Sequence, residues 1–234
     1  MAVQSPLGSR QTVAALLILT VVTGLVDAVS YLRLGHVFVA NMTGNVVFLG
    51  FSVDPHAGLS AAASLIAIAG FALGALAGGR TAHTLAARPG RWLAIAFTGE
   101  AIILGLVAVL TATRVLPFTG HGSFATIAIL AAALGVQNST VRHLGAPDLT
   151  TTVLTLTLTG LAADGALARG PGAKPHRRIG SIAAMLGGAA AGAGILQWSP
   201  TAAIAIAAAL VAAIACAFIT TTHSRALDEA DRAT

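Results

Sequence analysis

The sequence predicts an all-α polytopic membrane protein: six transmembrane helices plus two broken or re-entrant segments, built as an inverted 3+3 repeat. Three observations carry that reading. Of the 234 residues, 56% are hydrophobic and 9% charged. A soluble domain carries roughly 25% charge and needs it to cover its surface. Mean hydropathy is +0.86. Finally, six apolar runs are each long enough for a hydrocarbon core of roughly 30 Å, which takes about 20 residues.

Taken in order, the first run is 11–32. Arg10 followed by "AALLILTVVTG" imitates a secretory signal. The following chain is just as oily, so a first membrane helix is the better reading. The short segment 36–53 comes next, then runs at 60–79, 92–113 and 123–144. A second short segment, 149–166, carries six threonines. Threonine returns its hydroxyl to a backbone carbonyl and tolerates lipid well. Runs at 179–198 and 201–221 complete the set. The expected organisation is a cytoplasmic N-terminus at 1–10, one membrane domain at 11–222 and a cytoplasmic tail at 223–234.

Lysine and arginine decide whether the short segments cross. If all eight segments cross with the N-terminus inside, the split is eight inside against five outside. If the short segments dip in and return, Arg80, Arg88, Arg91 and Arg142 move inside and Arg114 moves out. The split becomes eleven against two, leaving only Arg33 and Arg114 outside. The second arrangement fits the positive-inside tendency, with both termini cytoplasmic in a bacterial inner membrane.

The two halves share an order of features. "GLVDAVSYLRLG" at 24–35 parallels "GVQNSTVRHLGA" at 135–146, so Gly24 falls on Gly135 and Asp27 on Asn138. Further on, Thr43 falls on Thr155, Asn45 on Thr157 and Leu49 on Leu161. Gly70, Gly74 and Gly78 are spaced like Ala184, Gly188 and Gly192. Small residues four apart let another backbone approach closely. The repeats are about 11–113 and 123–221. An odd number of spans in each copy turns the second upside down, a plan common among secondary transporters.

The stretch "VFVANMTGNVVFLG" at 37–50 is apolar at both ends and polar in the middle. Non-helical backbone at membrane depth survives only where protein or a water-filled cavity satisfies it. Thr43, Gly44 and Asn45 are the expected break, with a short helix starting at Val46. Its free N–H groups would favour an anion, and the carbonyls of the preceding arm a cation. Charge preference therefore stays open. The structural alternative is that Asn41 and Asn45 only bind neighbouring helices.

Two acids lie inside spans, Asp27 and Glu100. A buried carboxylate is costly unless paired or protonated. Arg33 is the expected partner of Asp27. Glu100 has no basic neighbour at helical spacing and is a candidate proton carrier, with a helix–helix hydrogen bond as the alternative. The histidines lie near segment ends without metal-ligand spacing, so no metal and no cofactor is expected. No nucleophile motif, phosphate loop or CxxC occurs, which argues against an enzyme. Cys216, alone in an apolar run, reads as a buried inert thiol. The net charge of +5 sits between oily segments and points to lipid rather than nucleic acid. The Gly-rich helices offer a route to a homo-oligomer.

"GLVDAVSYLRLGHVFVANMTGNVVFLG", with "GVQNSTVRHLG…TTTVLTLTLTG" in the second half, resembles the bacterial YoaK-type membrane proteins, a family defined by a domain of unknown function. The resemblance runs from about 11 to 222. The second motif departs from it, with Leu156 after Thr155 where the family pattern has glycine. The resemblance implies a small multi-span inner-membrane protein and supplies no substrate.

The reading is a carrier of a small solute or ion, with its site between the broken segments. The expected site residues are Asp27, Asn41, Thr43, Gly44 and Asn45 from one half, and Asn138, Thr155 and Thr157 from the other. The rival reading is a non-transporting scaffold or assembly factor whose polar motifs only hold helices together.

Overall fold

The computed structural model describes residues 5–120, 122–144, 154–163 and 175–232. Among them are eight α-helices and no strand: α1 (Ser9–Arg33), α2 (Met42–Phe51), α3 (Ala61–Thr84), α4 (Pro89–Ala112), α5 (Ser123–Leu144), α6 (Leu154–Ala163), α7 (Pro175–Ile195) and α8 (Pro200–Arg232). Six of them are long and apolar enough to cross a membrane. α2 and α6 have ten residues each. At 1.5 Å per residue such a helix covers about 15 Å, half of a hydrocarbon core.

Local chemistry sets the helix ends. The Gly8 amide donates to Gln11 Oε1 at 3.2 Å, closing the first turn of α1. Ser60 caps α3 by accepting from the Ala63 amide at 3.2 Å. Prolines open α4 and α8, where a missing N–H costs nothing. After α1, Gly35 at φ 93° and His36 at φ 57° turn the chain back on itself. Large apolar side chains such as Leu73, Ile102, Val109 and Leu186 point outward, as lipid-facing residues do.

The main helix pairs are α1 with α7, α3 with α5, and α4 with α8. α1 also packs on α8, and α4 on α5; α2 lies against α3, and α6 against α7. Neighbouring residues give the directions. Gly188 meets Val21 and Gly192 meets Leu25, so α1 and α7 are parallel. Gly70 meets Ala128 and Gly78 meets Val136, so α3 and α5 are parallel. Gly90 lies on Thr222, the Phe97 and Phe218 rings stack at 5.6 Å, and Thr201 donates to Thr111 at 3.2 Å, so α4 and α8 are antiparallel.

That last pairing bears on topology. Eight alternating crossings would make α4 and α8, both even-numbered, parallel. Antiparallel packing requires that α6 does not reverse the chain across the membrane, and the parallel α1–α7 pair then requires the same of α2. Between α1 and α2 the backbone folds back in non-helical form and α2 climbs again: Phe38 stacks on both Tyr31 of α1 (5.1 Å) and Phe48 of α2 (5.6 Å).

The two parallel pairs interlock in the same way. A Cβ on Gly24 would meet Met185 and Ala189; one on Gly135 would meet Phe71 and Ala75. A Cβ on Gly74 would strike the Ala132 backbone, and one on Gly188 the Val21 backbone. These are the same contacts with the halves exchanged. The small-residue stripes are thus occupied within the chain.

Four details correct the sequence reading. The break precedes residues 43–45: the non-helical arm lies before Asn41, and Thr43, Gly44 and Asn45 form the first turn of α2 rather than preceding a helix at Val46. Side-chain bonds from Asp27 and Asn45 satisfy that arm, so the TGN residues are free to be helical. Arg33 does not pair with Asp27; it donates to the Leu196 carbonyl at 2.9 Å. Cys216 is exposed on α8 rather than buried, because the inward face of that helix is set by Ile214, Ala215 and Phe218. α8 continues past residue 221 to Arg232. Asp148, Asp164, Arg169 and Lys174 lie outside the described residues.

Candidate functional site

The non-helical arm after α1 carries backbone groups that no helix or sheet satisfies, and two buried side chains take that role. Asp27 Oδ1 accepts from the amides of Val39 and Ala40, each at 2.9 Å. Asn45 accepts from the Phe38 amide at 2.9 Å and donates to the Phe38 carbonyl at 2.6 Å. The asparagine amide offers an acceptor oxygen and a donor nitrogen side by side, which together meet the N–H and C=O of one backbone residue. Gly44 is needed for a different reason. A Cβ there would lie 2.7 Å from Cδ2 of Phe38, so a larger residue would push the aromatic ring off α2.

This arm and the start of α2 form one wall of a cavity of about 700 Å³. Ala40, Asn41, Met42, Thr43, Gly44, Val47 and Phe48 line it from the first half. Phe71 of α3 lines it too, and Thr155 of α6 and Met185 of α7 close it from the second half. Among the described residues, none that lines it is ionisable. Of the expected site residues, Asn41, Thr43, Gly44 and Thr155 therefore meet at one cavity. Asp27 and Asn45 stand behind its wall and hold it. Asn138 donates to the Leu134 carbonyl at 2.8 Å and, like buried Thr157, does not line the cavity. Glu100 is elsewhere, 1% exposed in the middle of α4.

Phe71 and Met185 were missed. Each follows the first small residue of its stripe, Gly70 or Ala184, and each is met by a glycine of the partner helix, Phe71 by Gly135 and Met185 by Gly24. Thr43 and Thr155 are the pair that fall on each other when the sequences of the two halves are aligned. A large side chain one step from a small-residue stripe is the signal that points to them. Among the described residues no three His, Cys, Asp or Glu side chains converge as a metal site.

The family model described as "Protein of unknown function (DUF1275)" matches residues 15–217. The chain belongs to that family. It is also 35% identical over 166 residues to the UPF0700 transmembrane protein YoaK of Bacillus subtilis (strain 168), covering 66% of this chain and 67% of that protein. No solved structure matches. The family match spans α1 to most of α8, so both short helices and every cavity-lining residue lie within it. The chain is an integral membrane protein of all-helical fold.

Proposed function

We propose that this protein is a membrane carrier for a small solute, which binds in the cavity between α2 and α6 and crosses as one half rocks against the other. The observation that carries this reading is the composition of the cavity wall. Thr43 and Thr155, and Phe71 and Met185, are two pairs of equivalent residues from the two halves, and all four line one space. A volume of about 700 Å³ falls within the ordinary range for small-molecule sites, roughly 300–1,000 Å³.

The reading includes an inverted repeat. Exchanging α1 with α5, α2 with α6, α3 with α7 and α4 with α8 reproduces every helix pairing, and it exchanges helices of opposite direction. A site between discontinuous segments of two inverted halves suits alternating access. Arg10, Arg80, Arg88, Arg91, Arg142, Arg177 and Arg178 belong to one end of the bundle, which we assign to the cytoplasm together with both termini. Arg33 and Arg114 belong to the other. The membrane is then the bacterial inner membrane, and no catalytic role is assigned.

The test is a thermal-shift screen of small solutes on purified protein. A ligand that binds only the folded state raises apparent stability, by about 2.7 kcal/mol at a hundredfold excess over Kd. A hit whose shift is lost in Thr43→Val and in Thr155→Val supports the cavity; a hit unaffected by both removes it.

A further inference from the structure

Burial of polar groups in a membrane interior has to balance donors against acceptors, because no bulk water corrects a deficit. Among the buried side-chain atoms without a hydrogen-bond partner are four acceptor oxygens: Asp27 Oδ2, both carboxyl oxygens of Glu100, and Gln137 Oε1. The Thr140 hydroxyl is also unpartnered. These residues are 4%, 1%, 0% and 0% exposed. The Trp92 indole N–H, a donor, is unpartnered too, so among the described residues unpartnered acceptor oxygens outnumber unpartnered donors.

The groups lie at related depths. Trp92 of α4 lies beside His143 of α5, ring centroids 6.3 Å apart, and the two helices run in opposite directions. Glu100 is eight residues inward from Trp92, about 12 Å of helix. Gln137 is six residues inward from His143, about 9 Å, so Glu100 and Gln137 sit at nearly the same depth. Gln137 Nε2 donates to Thr23 Oγ1 of α1 at 2.9 Å, and Thr23 donates to the Leu19 carbonyl at 3.0 Å. One turn further along α1 is Asp27, whose other oxygen holds the amide of Ala40. Ala40 lines the cavity. Gln137, Thr23 and Asp27 thus lead towards the cavity wall, with Glu100 at a similar depth on the neighbouring helix.

We propose that Glu100 is the proton-carrying group of the carrier, coupled to the solute cavity through Gln137, Thr23 and Asp27. This rests on the carrier reading above. In each cycle one proton passes from water on one side to a Glu100 carboxyl oxygen, and from that oxygen to water on the other side. Movement of the Ala40–Asn41 wall on solute binding reaches Glu100 through Asp27 and the Thr23–Gln137 bond.

Other titratable groups around α4 are placed apart from Glu100. Arg142 and His143 of α5 and Arg80 and His83 of α3 gather at the Trp92 end, where the His83 and His143 rings meet at 5.2 Å. His223 of α8 follows Thr222, which packs on Gly90. Cys216 of α8, level with Glu100, faces outward.

The chain has two glutamates, Glu100 and Glu229. Protein labelled with side-chain carboxyl ¹³C-glutamate in lipid vesicles therefore gives two carboxyl signals, and Glu229→Gln leaves Glu100 alone. The expected result is an isotope-edited infrared signal from Glu100 that passes between protonated and ionised forms as pH is changed on each side of the membrane. Gln137→Leu should change the pH at which it does so. A Glu100 signal fixed in one form on both sides throughout overturns the proposal. No solute enters this measurement, so a fixed signal leaves the carrier reading standing, while a titrating signal that ignores Gln137→Leu overturns the coupling path.

Discussion

Gly74 of α3 lies directly against the backbone of Ala132 of α5, so close that a Cβ on the glycine would overlap the Ala132 carbonyl oxygen. Gly188 stands in the same relation to Val21, joining α7 to α1. Gly74→Leu and Gly188→Leu should each force a helix pair apart and cost at least the roughly 1–3 kcal/mol typical of overpacking. Gly99 of α4 has open space around its Cα, and Gly99→Ala should leave the melting temperature unchanged or slightly raised. Equal melting temperatures for all three variants would mean that the stripes do not hold the bundle.

Asp27 gives a second comparison. Its Oδ1 is the acceptor for two buried amides. Asp27→Asn keeps an oxygen there, whereas Asp27→Ala leaves both N–H groups unpaired, at about 1–3 kcal/mol each. The alanine variant should therefore melt below the asparagine variant by about 2 kcal/mol or more. Denaturation of the two variants side by side checks this, and coincident curves would contradict it.

Asn45 faces both a donor and an acceptor on Phe38. Asn45→Asp keeps the acceptor but turns a second oxygen towards the Phe38 carbonyl. Asn45→Asp should be destabilised by at least as much as Asn45→Ala, despite its closer shape. Hydrogen exchange at the 36–40 amides is the readout; protection retained in Asn45→Asp would argue that the arm is held by other groups.

The direction of the helices yields a labelling test. In a Cys216→Ser background, Ser9→Cys and Ala86→Cys should react with a membrane-impermeant thiol reagent from the same side, and Asp54→Cys from the opposite side. Eight crossings would place Ser9 and Ala86 on opposite sides.

Much of this arrangement is legible in the sequence because lipid leaves few choices. A run such as 123–144 has to be a helix to satisfy its backbone, and arginine placement favours six crossings. Gly74 and Gly188 announce close packing by their spacing. The re-entrant arm was legible in kind but not in position. Thr43, Gly44 and Asn45 have the composition of a break, yet distant Asp27 satisfies the arm at Val39 and Ala40, an interaction no local pattern encodes. Arg33 was assigned to Asp27 by proximity along α1. It turns instead to a carbonyl exposed where α7 ends, which only the fold brings near. Among the site residues, Asn41, Thr43, Gly44 and Thr155 could be chosen for polarity in an apolar context. Phe71 and Met185 carry no such mark, because an apolar side chain in an apolar helix becomes distinctive only when the two halves are superposed.

The central claim is that a solute passes through the cavity between α2 and α6, and uptake into proteoliposomes tests it most directly. Vesicles holding wild-type protein, Val47→Trp protein or no protein would be incubated with a pool of small solutes and their contents read by mass spectrometry. Val47 lines the cavity and is 45% exposed on α2, so tryptophan there should fill the space without disturbing the buried contacts of the helix. The account predicts at least one solute enriched in the wild-type vesicles and absent from the other two. Identical contents in all three, or equal enrichment with the filled cavity, would contradict it.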